Sequence, residues 1–486
     1  MMKKILIFAV VLALLAPAVA FADGTEFTLG GYIKLDSYWD STQQGKNING
    51  VIARNNDTSF NHGNMRFTAQ GSRINFTIKG PEVLGAKLTG FIEMDFDSCT
   101  DVGSTSNSPG TQSASNNYVP RLRNAMFRLN WPCDTELMFG QYWSMFCDWF
   151  PEVDEDGPFQ LTGTPTARVP QIRLSQKFAG DWSAAGLVGL ANGVGEGLAS
   201  TNPYGTSTTA GGDAEAPQVQ AQLKYAHDWW GQAAYYGHPT PFTASVTAGC
   251  QRYVQRNGDI TTMEMLDSYP ATKPTNFTGY IAHTYLNPWM VQGSLFIPVT
   301  ATSSADLAGT SHILIQPWVG QGVSQFGMAG DSTGVFKFTN NFSNLDSVDE
   351  ELIKRWGGLI EGQYWFTNQW FFNAAYGYTG VFGIDQSQIN APGLGTIQQY
   401  SYNNLQSQVR SIQQVDATLW YRPIAALKFG LQYSYLHEQF LTDAFPGTGG
   451  VIPSASSSST APFTPSGKLS DQANEHRVEF VGFFFF

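Results

Sequence analysis

The chain has few charges, few cysteines and, beyond its first residues, no long apolar run. Charged residues are only 14% of it and no stretch carries a clear helical period, which departs from soluble chains of this size. A soluble chain of 486 residues would also divide into several domains, and no linker or change of composition marks a division here. The absence of any apolar segment long enough to be a membrane helix after the first residues excludes a helical membrane protein. With 27 basic against 39 acidic residues the chain lacks the basic face that nucleic-acid phosphates require. The seven histidines, His62, His227, His238, His283, His312, His437 and His476, are scattered, and none stands beside a recognisable nucleophile motif. The chain is therefore read as not an enzyme. It also lacks a Cys-x-x-Cys-His haem site and any His/Cys cluster at metal spacing, so no cofactor is expected.

What the chain does have lies first at its ends. Lys3 and Lys4 precede an apolar run from Ile5 to Ala16, and Ala20-Phe21-Ala22 fits a small-x-small cleavage site. This is a secretory signal peptide over residues 1–22, with 23–486 left as a single domain. At the other end Val478, Phe480, Phe484 and Phe486 share one face of a segment whose other face carries Glu475, Arg477 and Glu479. That alternation describes a closing strand, oily outside and wet inside, and its terminal Phe is similar to the mark that outer-membrane barrels carry for assembly. Aromatic residues at 14% and 50 glycines agree with an all-β, transmembrane antiparallel barrel in the cell outer membrane of a Gram-negative bacterium.

Short turns alternate with long polar loops along the chain. The short connections are Gly80 to Gly85, Pro132 to Thr135, Ala179 to Asp181, Asp228 to Gly231, Asn287-Pro288, Thr367 to Gln369 and Pro423 to Leu427. The long ones fall near 41–63, 98–119, 144–169, 192–216, 239–275, 299–351, 381–408 and 439–473. They separate about 16 strands, enough to enclose an aqueous lumen. Ser311 to Gly320 reads either as part of the sixth loop or as a further strand. Gln218 to Tyr225 alternates Gln and Lys with apolar residues, as a strand facing water inside requires. Trp131, Trp182, Trp229, Trp230, Trp289, Trp365, Trp370 and Trp420 lie by the short connections and read as an interfacial girdle.

A water-filled barrel selects by the charge and width of its narrowest part. The third long loop, with Phe146, Trp149 and Phe150 at its start, would bury these rings by folding inward. That carries Asp148, Glu152, Asp154, Glu155 and Asp156 into the lumen, although an acidic run also suits a solvated face. Asp154 to Gly157 lacks the regular spacing of a calcium loop. Alternation places Arg73, Glu93, Asp95, Arg173 and Lys177 inward if Ile74, Phe76, Ile78, Leu88, Ile92, Met94, Phe96, Ile172, Leu174 and Phe178 face lipid. Arg121 and Arg123 share a face at the external end of their strand. These arginines either line the passage or pair with Glu93 and Asp95 to stiffen the wall.

Gly31-Tyr32-Ile33-Lys34-Leu35-Asp36, Phe91 to Phe96, Arg121 to Ala125, Gly140 to Ser144 with Phe146 and Asp148, and Pro170 to Arg173 resemble the DcaP-like family of trimeric outer-membrane porins. The resemblance spans roughly residues 26–178. It implies a homotrimer of 16-stranded barrels with an inward third loop and an eyelet of Arg73, Arg121, Arg123 and Arg173 that favours small carboxylates. The expected function is a porin for passive diffusion of small hydrophilic solutes, its partners being lipid, those solutes and two further copies. The chain differs from the family in its heavily acidic third loop and in a barrel expected to begin within a few residues of Asp23, without the family's helical extension. The alternative function is a sheath or scaffold for a partner such as a cytochrome, or an adhesin-like barrel.

Of the four cysteines, Cys133 sits in a periplasmic turn, and about 25 Å of membrane separates it from Cys99, Cys147 and Cys250 on external connections. Cys99 with Cys147 is the expected pairing.

Overall fold

In a computed structural model of the chain the described residues are 25–42, 52–57, 61–96, 120–153, 161–178, 180–189, 214–256, 283–302, 306–328, 334–338, 348–383, 409–441 and 470–486. The expected signal peptide lies outside them, as do Cys99, Asp154, Glu155 and Asp156. Among the described residues twenty-two strands follow one another: β1 Glu26–Asp40, β2 Asn64–Thr68, β3 Arg73–Val83, β4 Ala86–Asp95, β5 Arg121–Asn130, β6 Thr135–Trp143, β7 Arg168–Lys177 and β8 Trp182–Gly189. Next come β9 Ala214–His227, β10 Ala233–Tyr235, β11 His238–Thr240, β12 Phe242–Arg256, β13 His283–Leu286, β14 Trp289–Thr300 and β15 Ser311–Gln321. The last are β16 Gly334–Phe338, β17 Val348–Leu352, β18 Lys354–Trp365, β19 Trp370–Gly383, β20 Val409–Ile424, β21 Leu427–Phe440 and β22 Gln472–Phe485.

Most of them form one closed antiparallel barrel of 16 strands. Two wall strands are interrupted: β2 and β3 both pair with β1, and β13 and β14 both pair with β12. Closure is made by β22 against β1, from Tyr32 opposite Phe485 to Asp40 opposite Arg477. Side chains obey the alternation of a wall between oil and water. On β22, Val478, Phe480 and Phe484 are exposed outside, while Glu475, Arg477 and Glu479 are buried inside, where Arg477 Nε donates to Asp40 at 2.6 Å.

The middle of the chain departs from the sequence reading, although the count of 16 holds. Ser311–Gln321 spans the wall between β14 and β18. β12 lies in what reads as the fifth loop, and 287–288 is a break inside one wall strand rather than a turn. Pro288 has no N–H to give to a ladder, which explains the break. The segment 232–238 is no wall strand; it is most of a short hairpin, β10 with β11. The two strands over-read are offset in the total by β12, read as loop, and by β15, left open between loop and strand. The alternation of β15 is hidden because its inner face carries Leu314 and Trp318, buried beneath other inward segments.

The tryptophans divide as well. Trp182, Trp229, Trp230 and Trp370 are exposed on the outside near the short connections. Trp365 and Trp420 instead face inward, stacked on either side of Phe371 with centroids 4.1 and 6.0 Å away. Trp289 lies within the wall, opposite Cys250 on one side and Gln321 on the other.

Candidate functional site

The site is the barrel interior, and its first component is the third loop. It leaves β6 at Trp143 and turns inward, because wall residues hydrogen-bond its polar groups. Gln220 Oε1 receives Ser144 Oγ at 3.0 Å and the Met145 N–H at 2.9 Å, and Gln292 Nε2 donates to the Phe146 carbonyl at 2.9 Å. The Phe146 ring occupies the space over Gly249, where a Cβ would come within 2.9 Å of it. Trp149 stacks on Phe296 at 5.0 Å. Apolar burial thus draws the loop off the surface, as its rings demand.

Asp148 is a docking group of this loop. Ser245 Oγ donates to it at 2.8 Å, Ser294 Oγ at 3.3 Å and Gln222 Nε2 at 3.2 Å, with Lys224 Nζ at 3.6 Å. Burial raises its pKa, and Lys224 and the two hydroxyls pull against that rise. Glu152 is held at every polar group. Its N–H donates to Glu361 at 2.7 Å, its carbonyl accepts from Trp420 Nε1 at 3.0 Å, and its carboxylate accepts from Gln363 at 2.8 Å and Lys428 at 2.7 Å. These partners stand on β18, β20 and β21, so the loop crosses the lumen. Its return limb lies on the same wall, where Thr162 N–H donates to Gln414 at 2.9 Å and Trp318 Nε1 donates to the Gly163 carbonyl at 2.9 Å. Glycine makes this approach possible: a Cβ on Gly377 would meet the Thr162 carbonyl oxygen, well inside contact distance.

The second component is a basic wall on β3, β5 and β7. Outward exposure of Phe76, Ile92, Leu122, Ile172, Leu174 and Phe178 leaves the arginines of these strands inside. A register shift between Glu93 and Met94 bulges β5, so that Arg123 and Asn124 both donate to Glu93 Oε1, at 2.8 and 3.0 Å. Asp95 accepts a bidentate pair from Arg121 at 2.9 and 2.8 Å, and a third bond from Arg123 at 2.6 Å. Arg73 Nη1 lies 3.9 Å from Glu93. Arg173 donates to Gln171 at 2.9 Å and to the Trp143 carbonyl.

The structure therefore brings Arg73, Glu93, Asp95, Arg121 and Arg123 into one network, with Arg173 nearby. Asp148 and Glu152 are buried anchors of the loop. Arg168 was missed by pattern reading, because alternation counted from Ile172 and Leu174 assigns it outward. Its guanidinium lies 5.0 Å from the Trp143 ring centroid, with Arg123 at 5.8 Å from the same ring. Towards the other end of the lumen a cavity of about 400 Å³ is lined by Glu136, Lys177, Gln222 and Lys224 among others.

The third component is the hairpin of β10 and β11, which enters the lumen between β9 and β12. Tyr235 lies edge-on to Trp149 at 4.8 Å and close to Phe296 at 5.9 Å, so hairpin and loop meet inside the barrel.

Among solved structures this architecture matches the outer membrane channel DcaP of Acinetobacter baumannii, at a TM-score of 0.59 and 15% identity, over 96% of this chain and 98% of that one. The chain has the fold of DcaP. An anion-selective porin from Comamonas acidovorans is similar over 95% of this chain and all of its own, at 9% identity and a TM-score of 0.48, too low to add to this. No protein-family model and no curated protein sequence matches the chain. The likeness is one of fold. Roles for single residues rest on the geometry above.

Cys133, Cys147 and Cys250 carry free thiols. Cys147 is buried in the third loop, donates to the Pro165 carbonyl at 3.1 Å, and has its pKa pushed up to about 12 by burial. Cys250 is exposed on the wall strand β12 rather than on an external connection.

Proposed function

We propose that the protein is an outer-membrane porin, a passive channel for small hydrophilic solutes. The observation that carries this is the third loop, which crosses the lumen from β6 and is fastened to the far wall through Glu152. A loop so placed narrows a wide barrel to a passage beside the basic wall of β3, β5 and β7. Selection in such a passage follows from the charges left in contact with water. Of the arginines paired with Glu93 and Asp95, Arg121 is the most open, at 32% exposure of its side chain against 16% for Arg73 and 4% for Arg123. Arg121 with Arg73 and Arg168 can attract and orient an anion, the planar guanidinium giving a carboxylate two parallel donors. Small carboxylates are therefore the preferred solutes, with Asp154, Glu155 and Asp156 setting the opposing charge.

A sheath around a partner cytochrome would need a lumen clear across its width, which the loop and the hairpin occupy. The protein is taken to act as a homotrimer exported to the outer membrane, and fractionation with cross-linking of the native protein tests both points. The functional experiment is solute entry into proteoliposomes. Small dicarboxylates should enter faster than neutral sugars of similar size, and equal rates would remove the carboxylate preference.

A further inference from the structure

The connection between β9 and β12 has no need to be long. His227 and Phe242 are already register partners, so a two-residue turn would join the strands. The chain instead inserts a hairpin with Tyr236-Gly237 at its tip, both at positive φ, 48° and 76°. Two positive φ values at the tip of a two-residue turn are the type I′ pattern, in which Asn or Asp is the favoured first residue. A tyrosine there is strained, and such strain persists where the surroundings hold the side chain. Here they do: Tyr236 Oη donates to the Pro151 carbonyl at 3.2 Å. The neighbouring hydroxyl serves both backbone groups of the preceding loop residue. Tyr235 Oη accepts from the Phe150 N–H at 2.8 Å and donates to the Phe150 carbonyl at 3.0 Å. Ala233 and Ala234 are buried, and Gly231 and Gln232 hold the base of the hairpin to Asp228 at 2.7 and 3.0 Å.

We propose that this hairpin is a second constriction element, and that Tyr235 and Tyr236 are specificity-determining residues because they fix the third loop from the opposite side. The inference rests on the porin reading and extends it. Loop and hairpin enter from opposite ends of the barrel and clasp at Phe150-Pro151. The position of the loop, and so the width left beside the basic wall, depends on both. Backbone groups of Phe150 and Pro151, taken into the lumen, need partners, and the two hydroxyls supply three of them.

The test uses two variants of the full chain. In one, residues 228–241 are replaced by Asn-Gly; in the other, Tyr235→Phe and Tyr236→Phe remove the hydroxyls and keep the rings. Heat-modifiable migration reports barrel formation, and single-channel conductance reports the width of the passage. Labelling of Cys147 by a water-soluble maleimide, located by mass spectrometry, reports release of the loop independently of conduction. Wild-type Cys147 should be protected. Loss of the clasp should raise its labelling rate by about tenfold in the double variant, with a larger, noisier conductance in both. If the shortened variant does not form a barrel, the double variant decides. Folded variants with wild-type conductance and a protected Cys147 would overturn the proposal. So would release of Cys147 with unchanged conductance, because the hairpin would then hold the loop without bounding the passage. Silent wild-type protein would instead refute the porin reading, while the labelling result would still judge the clasp.

Discussion

Lys428, on β21, reaches Glu152 of the third loop at 2.7 Å while its ammonium lies 3.7 Å from the Trp420 ring centroid. The pair is nearly closed to solvent, with side-chain exposures of 11% and 5%. Salt screens such a pair little, and each partner depends on the other to justify a buried charge.

Removing one partner should therefore unfasten the loop. Lys428→Met leaves the Glu152 carboxylate buried with only the Gln363 bond, at an expected cost of about 3–5 kcal/mol in loop docking. Current noise and proteolytic cleavage within 144–167 should both rise. Adding Glu152→Leu to Lys428→Met should restore much of the quiet state, since an apolar pair leaves no stranded charge. No recovery would show that Glu152 acts through its other contacts.

The basic wall separates transport from stability. Arg121→Gln should lower the anion-to-cation permeability ratio by roughly twofold, because it removes a charge in a poorly screened passage. Arg123→Gln should leave that ratio nearer to wild type and lower thermal stability, since it breaks three-way pairing with Glu93 and Asp95. Reversal potentials in asymmetric salt and melting curves check the split. The opposite pattern would mean that Arg123 meets the solute.

These roles show what the sequence could and could not convey. Alternation is a property of one strand, so the inward placement of Arg73, Glu93, Asp95, Arg121, Arg123 and Arg173 was legible from Ile172, Leu174 and their like. The inward course of the third loop was legible from Phe146 and Trp149, which have no other place to bury. Pairing across the lumen was not legible: Glu152 and Lys428 lie far apart in sequence and carry no local signal of each other. Nor was the hairpin, because its inward-facing alanines imitate a wall strand, and because the inner faces of β14 and β15 are apolar where the loop covers them. Alternation fails where the lumen is packed.

The acidic segment gives a third expectation. Changing Asp154→Asn, Glu155→Gln and Asp156→Asn together should move the reversal potential towards anions and leave the barrel intact, because only charge in the narrow part acts strongly on a passing ion. Unchanged selectivity would place these residues in bulk solvent.

Asp148 makes loop docking depend on pH. Its pKa in the folded protein is raised by burial, so the folded state favours the protonated form. The stability tied to this group is then fully present at pH below the ordinary carboxylate range and falls as pH rises through the raised value. Asp148→Asn, which mimics the protonated group, should match wild type in acid and exceed it in melting temperature at neutral pH. A variant less stable than wild type at neutral pH would show that the Lys224 contact outweighs the burial.

The most direct test is the conductance of wild-type protein in a planar lipid bilayer. A barrel narrowed by the third loop should give stepwise, ohmic events, often grouped in threes, with a reversal potential displaced towards anions. Folded protein that leaves the bilayer silent would contradict it.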